Sequence, residues 1–316
     1  MCEPVPTFNK TFPLVTIAIP TYNRADRYLR LALESAQRQT YPNLEIIVSD
    51  NCSVDDTEKL ITEITDSRIR YFRHKINIGP NNNLNFCLQQ ARGVFFLLLC
   101  DDDLLDDDFI ETCMNAIHCD ADVGIITTGV RIINSNGELI RQRANMGGGS
   151  TASDFFIGWL TGKAPLYLCN TLLHTERLKN IGGFQSKYNL YDDTMAIFHL
   201  ATKFGRVHIR DIKASQRLHE SKLSFLSRIS EWCEESLALL DLMCDLVSEK
   251  SVQIRQQGMR VLSRRNYFRA RAVRSPLKRS IAYMIVFKKF HYRYPPPIFR
   301  RRLHPRRLRG IKLRMK

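Results

Sequence analysis

Three consecutive carboxylates, Asp101-Asp102-Asp103, follow the apolar run Val94–Cys100. Adjacent carboxylates repel one another at neutral pH, and a bound cation relieves that repulsion. Oxygen ligands of this kind suit Mg2+ or Mn2+, usually completed by phosphate oxygens and water. A metal beside a diphosphate stabilises the charge that develops as the diphosphate leaves. Neither GxxxxGK[ST] nor GxGxxG occurs. The phosphate partner is therefore expected to be a nucleotide held through metal and polar side chains rather than by a glycine loop. A second triplet, Asp106-Asp107-Asp108, lies just before a helical run and reads as helix capping.

Asp50 closes a short β-branched run, where it is placed either to accept a hydrogen bond from a base or ribose or to act as an ordinary capping aspartate. Asp192-Asp193 precede the helical run Thr194–Ala201, and Asp192 fits its N-cap. Asn77–Asn83 contains a turn glycine and helix-capping asparagines, sufficient structural reason for its composition. Gly147-Gly148-Gly149-Ser150 reads as a connector, with closure over a ligand as the other reading.

These groups need elements to hold them. Leu14–Pro20, Leu44–Val48, Ile69–Phe72 and Val94–Leu99 read as strands, the last apolar on both faces as in a helix-covered sheet. Segments 26–39, 55–64 and 81–92 read as the helices between them. Strand and helix alternate every 25 to 30 residues or so, the mark of right-handed βαβ units in an open, mostly parallel α/β sheet. Ligands bind beyond the carboxyl ends of such strands. Thr21–Arg24, Ser49–Asn51 and Asp101–Asp103 all fall there.

The 316 residues carry 47 Lys or Arg against 32 Asp or Glu, a formal net charge of +15. The excess is local. Residues 250–316 hold 22 of the basic side chains and no Asp or Glu, which leaves residues 1–249 mildly acidic. With 44% apolar residues the chain is neither disordered nor collagenous, and its seven-residue apolar runs are far short of a membrane span of about 20. Nine cysteines without a CxxC pair, and a start lacking the basic flank and apolar stretch of a secretory signal, point to reduced thiols in the cytosol rather than zinc or disulfides.

In order along the chain, the motifs resemble the family 2 glycosyltransferases with the GT-A fold. The matching text is Val15–Arg24, Ile47–Ser53 with Asp55-Asp56-Thr57, Asn77-Ile78-Gly79, Asn82-Asn83, Ala91-Arg92-Gly93, Leu99–Asp103, and Gly182-Gly183-Phe184 with Tyr191-Asp192-Asp193. It is most similar to bacterial sugar transferases that build O-antigen and other surface polysaccharides, including the abequosyltransferase-like group. The resemblance implies a Rossmann-like sheet flanked by helices and a nucleotide-sugar donor. It implies that Thr21 and Asp50 contact the base, that Asp101 lies near the ribose, and that Asp102, with Asp103 beside it, binds Mg2+ or Mn2+. The first position of a strict DxD falls on Cys100, so the division of labour among the three aspartates stays open. Asp193 maps to the catalytic base of inverting members, and Asp192, where the family usually has Glu, is the second candidate catalytic residue. Arg217-Leu218-His219 resembles an Arg-x-His segment near the diphosphate, which makes His219 a candidate diphosphate contact.

Three regions are expected: an N-terminal tail (1–12), the transferase domain (13–225) and a basic helical extension (226–316). Basic helices interleaved with aromatics such as Tyr267, Phe268 and Tyr283 suit an anionic membrane surface. The family's frequent use of lipid-linked glycan acceptors agrees with a peripheral position on the inner face of the cell membrane. Nucleic acid is the rival partner for the same cations and the less favoured one. Neither Trp159 nor Trp232 follows an arginine, so the Gln-x-x-Arg-Trp segment of processive members is missing and transfer of one sugar per acceptor is expected. The competing expectation, motivated by Cys100 and Asp192, is a non-catalytic, degenerate transferase domain recruited by its basic tail.

Overall fold

A computed structural model describes residues 12–25, 27–118, 122–218 and 228–296. His219 lies outside the described residues. The first half alternates β1 (Val15–Thr21), α1 (Arg27–Gln37), β2 (Leu44–Asp50), α2 (Thr57–Thr62), β3 (Ile69–Arg73), α3 (Pro80–Gln90) and β4 (Phe95–Leu98). These four strands pair in parallel in the order β3-β2-β1-β4.

β1 and β2 are buried on both faces because helices cover both sides. The period-2 alternation of strand side chains divides them between two cores. Ile17, Ile46, Phe95 and Leu97 face one apolar cluster with Leu29, Leu33 and Phe109. Ala18, Ile47, Phe96 and Leu98 face the other, with Leu88, Phe156 and Phe198.

Beyond β4 the sheet becomes mixed. β5 (Leu104–Leu105), α4 (Phe109–Ala116), β6 (Ile125–Ile133), β7 (Leu139–Arg143), α5 (Ala152–Thr161), β8 (Thr171–His174), α6 (Thr175–Asn180), α7 (Asp192–Phe204) and β9 (Arg206–Arg217) follow in the chain. β8 runs antiparallel to β4 and β6, β9 runs parallel to β6, and β5 pairs antiparallel with the far end of β9. β6 and β7 form a hairpin around Asn134–Gly137.

The last three helices are α8 (Ile229–Asp245), α9 (Ser251–Arg271) and α10 (Pro276–Lys289). Trp232, Leu239, Leu240, Met243, Leu262, Tyr267, Val286 and Phe290 belong to the same apolar cluster as Phe155, Trp159 and Phe198. The basic helices are thus built onto the sheet body through a shared core.

Asp106-Asp107-Asp108 does not cap α4. Asp108 makes no side-chain cap hydrogen bond at its N-terminus. Instead Arg131 grips Asp106 at 2.7 and 3.0 Å, Arg38 meets Asp107 at 3.1 Å, and Lys213 meets Asp108 at 2.5 Å. Cations arriving from just after α1, from β6 and from β9 outcompete the local backbone for these carboxylates.

Candidate active site

The parallel register sets Thr21 opposite Asp50 at the carboxyl ends of β1 and β2. It also sets Ala18 opposite Leu98 on β4, and the backbone of Leu99 continues the pairing by donating to the Ala18 carbonyl. The chain therefore delivers Asp101 beside Thr21, whose Oγ1 donates to Asp101 Oδ2 at 2.9 Å. Arg24 Nε stands 3.9 Å from Asp101 Oδ1. Burial, and then the neighbouring charge of Asp102, push the Asp101 carboxyl up to about 7.

Asp102 and Asp103 are buried, and together with Cys100 they bring potential ligand atoms within 4.8 Å of one another. Two carboxylates flanked by a thiol are a donor set that fits a hard divalent cation through its oxygens. Arg217, at the end of β9, fixes this segment. Its backbone N–H donates to Asp103 Oδ1 at 2.9 Å and its Nε to the Asp102 carbonyl at 2.9 Å. The guanidinium also reaches the Asn134 carbonyl at 3.1 Å and lies 4.8 Å from the Tyr28 ring centroid.

Asp50 is fully buried. Its Oδ1 accepts from the Ser53 backbone at 2.8 Å and its Oδ2 from the Tyr71 hydroxyl at 2.9 Å, with Arg73 Nε at 3.6 Å. The next residue, Asn51, grips the loop before α3: its Nδ2 donates to Asn77 Oδ1 at 3.0 Å and its Oδ1 accepts from Ile78 N at 2.8 Å. One turn later Asn81 Nδ2 donates to Asp192 Oδ2 at 2.5 Å. Hydrogen bonds at both ends, joined by the backbone of residues 78–81, therefore link the carboxyl end of β2 to the N-terminus of α7.

Asp192 and Asp193 occupy the first turn of α7; Tyr191, not Asp192, stands at the N-cap position, and it makes no side-chain cap hydrogen bond. Asp192 Oδ1 accepts from the Asp193 N–H at 3.0 Å, and Asp193 Oδ1 accepts from Thr194 N at 2.6 Å and Thr194 Oγ1 at 3.1 Å. Burial and the charge of Asp192 push Asp193 up to about 6. Asp192 is raised as well, by burial first, with the charge of Glu235 adding to it. Glu235, on α8, is 1% exposed; its Oε1 accepts from Tyr188 N at 2.7 Å, and its Oε2 has no hydrogen-bond partner among the described residues.

Sequence reasoning passed over several groups that build this site. Asn81 and Asn85 bracket the Gly-Gly-Phe turn: Asn85 accepts from Phe184 N at 2.9 Å and donates to the Phe184 carbonyl at 2.9 Å, while Asn81 reaches that carbonyl at 3.2 Å. Gly183 has φ +75°, and a Cβ there would lie 2.4 Å from Asn85 Oδ1, so only glycine permits this approach. Arg265 and Arg269 of α9 flank Tyr191. Arg265 Cζ sits 4.1 Å from the Trp159 ring centroid and Arg269 Cζ 3.6 Å from that of Trp232, with Arg269 Nη2 3.5 Å from the Tyr191 hydroxyl. The asparagine cluster was visible in the sequence as a motif; the arginines carried no signal. The glycine loop at 147–149 is fastened to β9, since Arg206 donates to the Gly147 carbonyl at 2.9 Å and to that of Gly149.

Residues 16–185 match the family model described as glycosyl transferase family 2. The chain is 30% identical over 228 residues to the GalNAc(5)-diNAcBac-PP-undecaprenol beta-1,3-glucosyltransferase of Campylobacter jejuni, covering 68% of this chain and 72% of the relative. It is 33% identical over 138 residues to the chondroitin synthase of Escherichia coli, covering 43% of this chain but only 20% of that longer one. Among solved structures, S. aureus TarS 1-349 in complex with UDP-GlcNAc aligns with a TM-score of 0.66 at 18% identity, over 88% of this chain and 82% of that one. The mannosyltransferase PcManGT of Pyrobaculum calidifontis, in complex with GDP-Man and Mn2+, aligns at 0.53 and 18% identity, over 92% and 84%. At such identities the structural likeness speaks for the fold, and the family match and the C. jejuni relative speak for the activity. The chain belongs to glycosyl transferase family 2 and is a glycosyltransferase of GT-A fold.

Proposed function

We propose that this glycosyltransferase is inverting and metal-dependent, and moves one sugar from a nucleoside-diphosphate sugar to a lipid-linked glycan in bacterial surface-polysaccharide synthesis. The observation that carries the reading is the path from Asp50-Asn51 through Asn77, Ile78 and Asn81 to Asp192, which ties a donor-binding end of the sheet to a pair of carboxylates of raised proton affinity.

In this reading Thr21 and Asp50 form the floor of the base pocket. The two protein hydrogen bonds of Asp50 use half of its roughly four acceptor sites. Asp101, held by Thr21 and Arg24, meets the ribose. Asp102 and Asp103 would hold Mg2+ or Mn2+, with Arg217 keeping Asp103 in place. Bound there, the cation supplies charge stabilisation for the departing diphosphate. Asp193 takes the proton of the acceptor hydroxyl as that oxygen attacks the anomeric carbon from the side opposite the leaving group. Asp192, bridging Asn81 and the Asp193 N–H, holds the base in position.

A lipid-linked acceptor is supported by the C. jejuni relative, which is named for a PP-undecaprenol glycan. The uniformly cationic C-terminal residues support a place on the inner face of the cell membrane, in preference to nucleic acid, and no helix among the described residues is long and apolar enough to cross a membrane.

The test is a pair of variants. Asp102→Asn is expected to abolish Mn2+-dependent nucleotide binding in calorimetry. Asp193→Asn is expected to bind the donor as wild type does and to lose transfer by about 100-fold or more. Transfer at the wild-type rate in Asp193→Asn would refute the base assignment.

A further inference from the structure

α9 and α10 form a helical hairpin whose inner faces meet through Tyr267 and Tyr283, with ring centroids 5.8 Å apart. The outer faces break the ordinary rule for a helix on a globular protein. On α10, Leu277, Ile281 and Met284 are 72%, 53% and 59% exposed. Their i, i+4, i+7 spacing makes one stripe, and Lys288 extends it a turn further. On α9, Phe268 is 75% exposed between the exposed Arg264 and Arg271, at i−4 and i+3. Phe268 follows Tyr267, and Met284 follows Tyr283. In antiparallel helices packed through those tyrosines, one step along each chain rotates both side chains toward the same side. Phe268 and the α10 stripe therefore lie on one surface.

We propose that this surface, centred on Phe268, Leu277, Ile281 and Met284, is a docking face for an anionic lipid bilayer. A contiguous group of large exposed apolar side chains marks an interaction site. What surrounds the group selects the partner. Arg264, Arg271, Arg274, Lys278 and Lys288 ring it, and none of them pairs with a carboxylate among the described residues. Two carboxylates of neighbouring α8 are engaged elsewhere, Asp241 by Arg255 and Glu234 by Lys187 and Lys289. Residues 297–316 add nine Lys or Arg and no acid to the cationic charge of this end of the chain. Shallow apolar side chains within a cationic ring match the interfacial zone of a negatively charged membrane, where burial and electrostatics act together. A nucleic acid would use the cations but leave the apolar stripe in water.

The position has a consequence for catalysis. On the adjoining stripe of α9, Arg269 contacts Tyr191 at the start of α7, and Arg265 stacks on Trp159. One helix, about 10 Å across, separates the docking face from the turn bearing Asp192 and Asp193. The inference rests on the lipid-linked acceptor proposed above, and it gives that acceptor an approach to the base along the bilayer surface.

The test is sedimentation of the full chain with vesicles of phosphatidylcholine alone and with about 30% phosphatidylglycerol. Binding to the anionic vesicles only is expected, weakening as salt shortens the reach of the charges. The combined variant F268S/L277S/I281S/M284S is expected to lose at least about tenfold in vesicle affinity, and R264E/R271E/K278E likewise. Both should retain wild-type hydrolysis of the donor in solution, a readout of the transferase reading that is independent of vesicle binding. Single F268W keeps the fold question apart: its emission should be quenched by brominated lipid, whereas Trp159 and Trp232 are buried. Failure of the wild-type chain to bind anionic vesicles, unchanged binding by the serine variant, an unquenched F268W, or a dimer that the serine variant dissociates would each overturn the proposal. So would nucleic-acid binding in place of vesicle binding.

Discussion

Asp193 is the residue whose protonation should be visible in the rate. Its carboxyl titrates near 6, because burial and the Asp192 charge both disfavour the anion. A general base works only when deprotonated, so transfer should climb as pH rises through about 6 and level off above it. The sign for stability is opposite. Between an unfolded value of about 3.9 and the folded value, the native state holds the proton more tightly, so this group's contribution to stability is full below that window and is lost as pH rises through about 6. Removing the Asn81 amide, as in Asn81→Leu, deletes a hydrogen bond that favours the charged pair. The acidic limb should then move to higher pH and kcat fall about tenfold, with donor affinity unchanged, as a lost hydrogen bond of 1 to 1.5 kcal/mol or so predicts. A pH–rate profile of both proteins checks this; an unshifted limb would separate Asn81 from the base. The carboxylates were legible in the sequence because they are adjacent in the chain and end apolar runs. Asn81 and Arg217 were not given their roles, because their partners lie 111 and 114 residues away and only the folded sheet brings them together.

At the scale of elements, the turn between α6 and α7 shows how a glycine pair serves the site. Gly183 brings positive φ and room for Asn85, whereas Gly79, the N-cap of α3, has φ +84° and open space around its missing Cβ. Alanine at both positions meets the same backbone strain, of about 1 kcal/mol. Only at 183 does it also push against Asn85 and so against the loop that carries Asp192. Gly183→Ala should therefore destabilise by about 2 to 4 kcal/mol and Gly79→Ala by about 1 kcal/mol, read as denaturant midpoints at constant slope. Equal losses would show that the Asn85 contact carries no weight. β1, β2 and β4 were readable because each is a short, largely apolar run ended by a polar signal. β5, with two residues, and β9, whose outer half is exposed and charged, have no such pattern. Their pairing is dictated by β6 and by the Arg217 contacts, which no local reading contains.

The whole molecule differs from its sequence in one respect above all. Charge divides the chain near residue 250, and composition alone suggests a body with an appendage. Packing does not follow that division. Leu240 of α8 abuts Gly258 of α9, where an added Cβ would come within 2.3 Å of its methyl group, and both helices close over the cluster that contains Phe155, Trp159 and Phe198. Arg269, stacked on Trp232 and touching Tyr191, carries the connection to the first turn of α7. Such a shared core predicts that the sheet body and the helices unfold as one cooperative unit. Thermal unfolding should show one transition, and Leu240→Ala, which removes a fully buried side chain at about 2 to 5 kcal/mol, should lower the melting of the entire chain. The decisive measurement follows unfolding by two probes in a Trp159→Phe background: the fluorescence of Trp232, which lies on α8, and donor binding, which reports the carboxyl ends of the strands. Coincident curves that shift together in the variant fit a single unit. A donor-binding transition that stays in place while the tryptophan signal moves would mean that the basic helices melt on their own, and that Arg269 does not couple them to the catalytic turn.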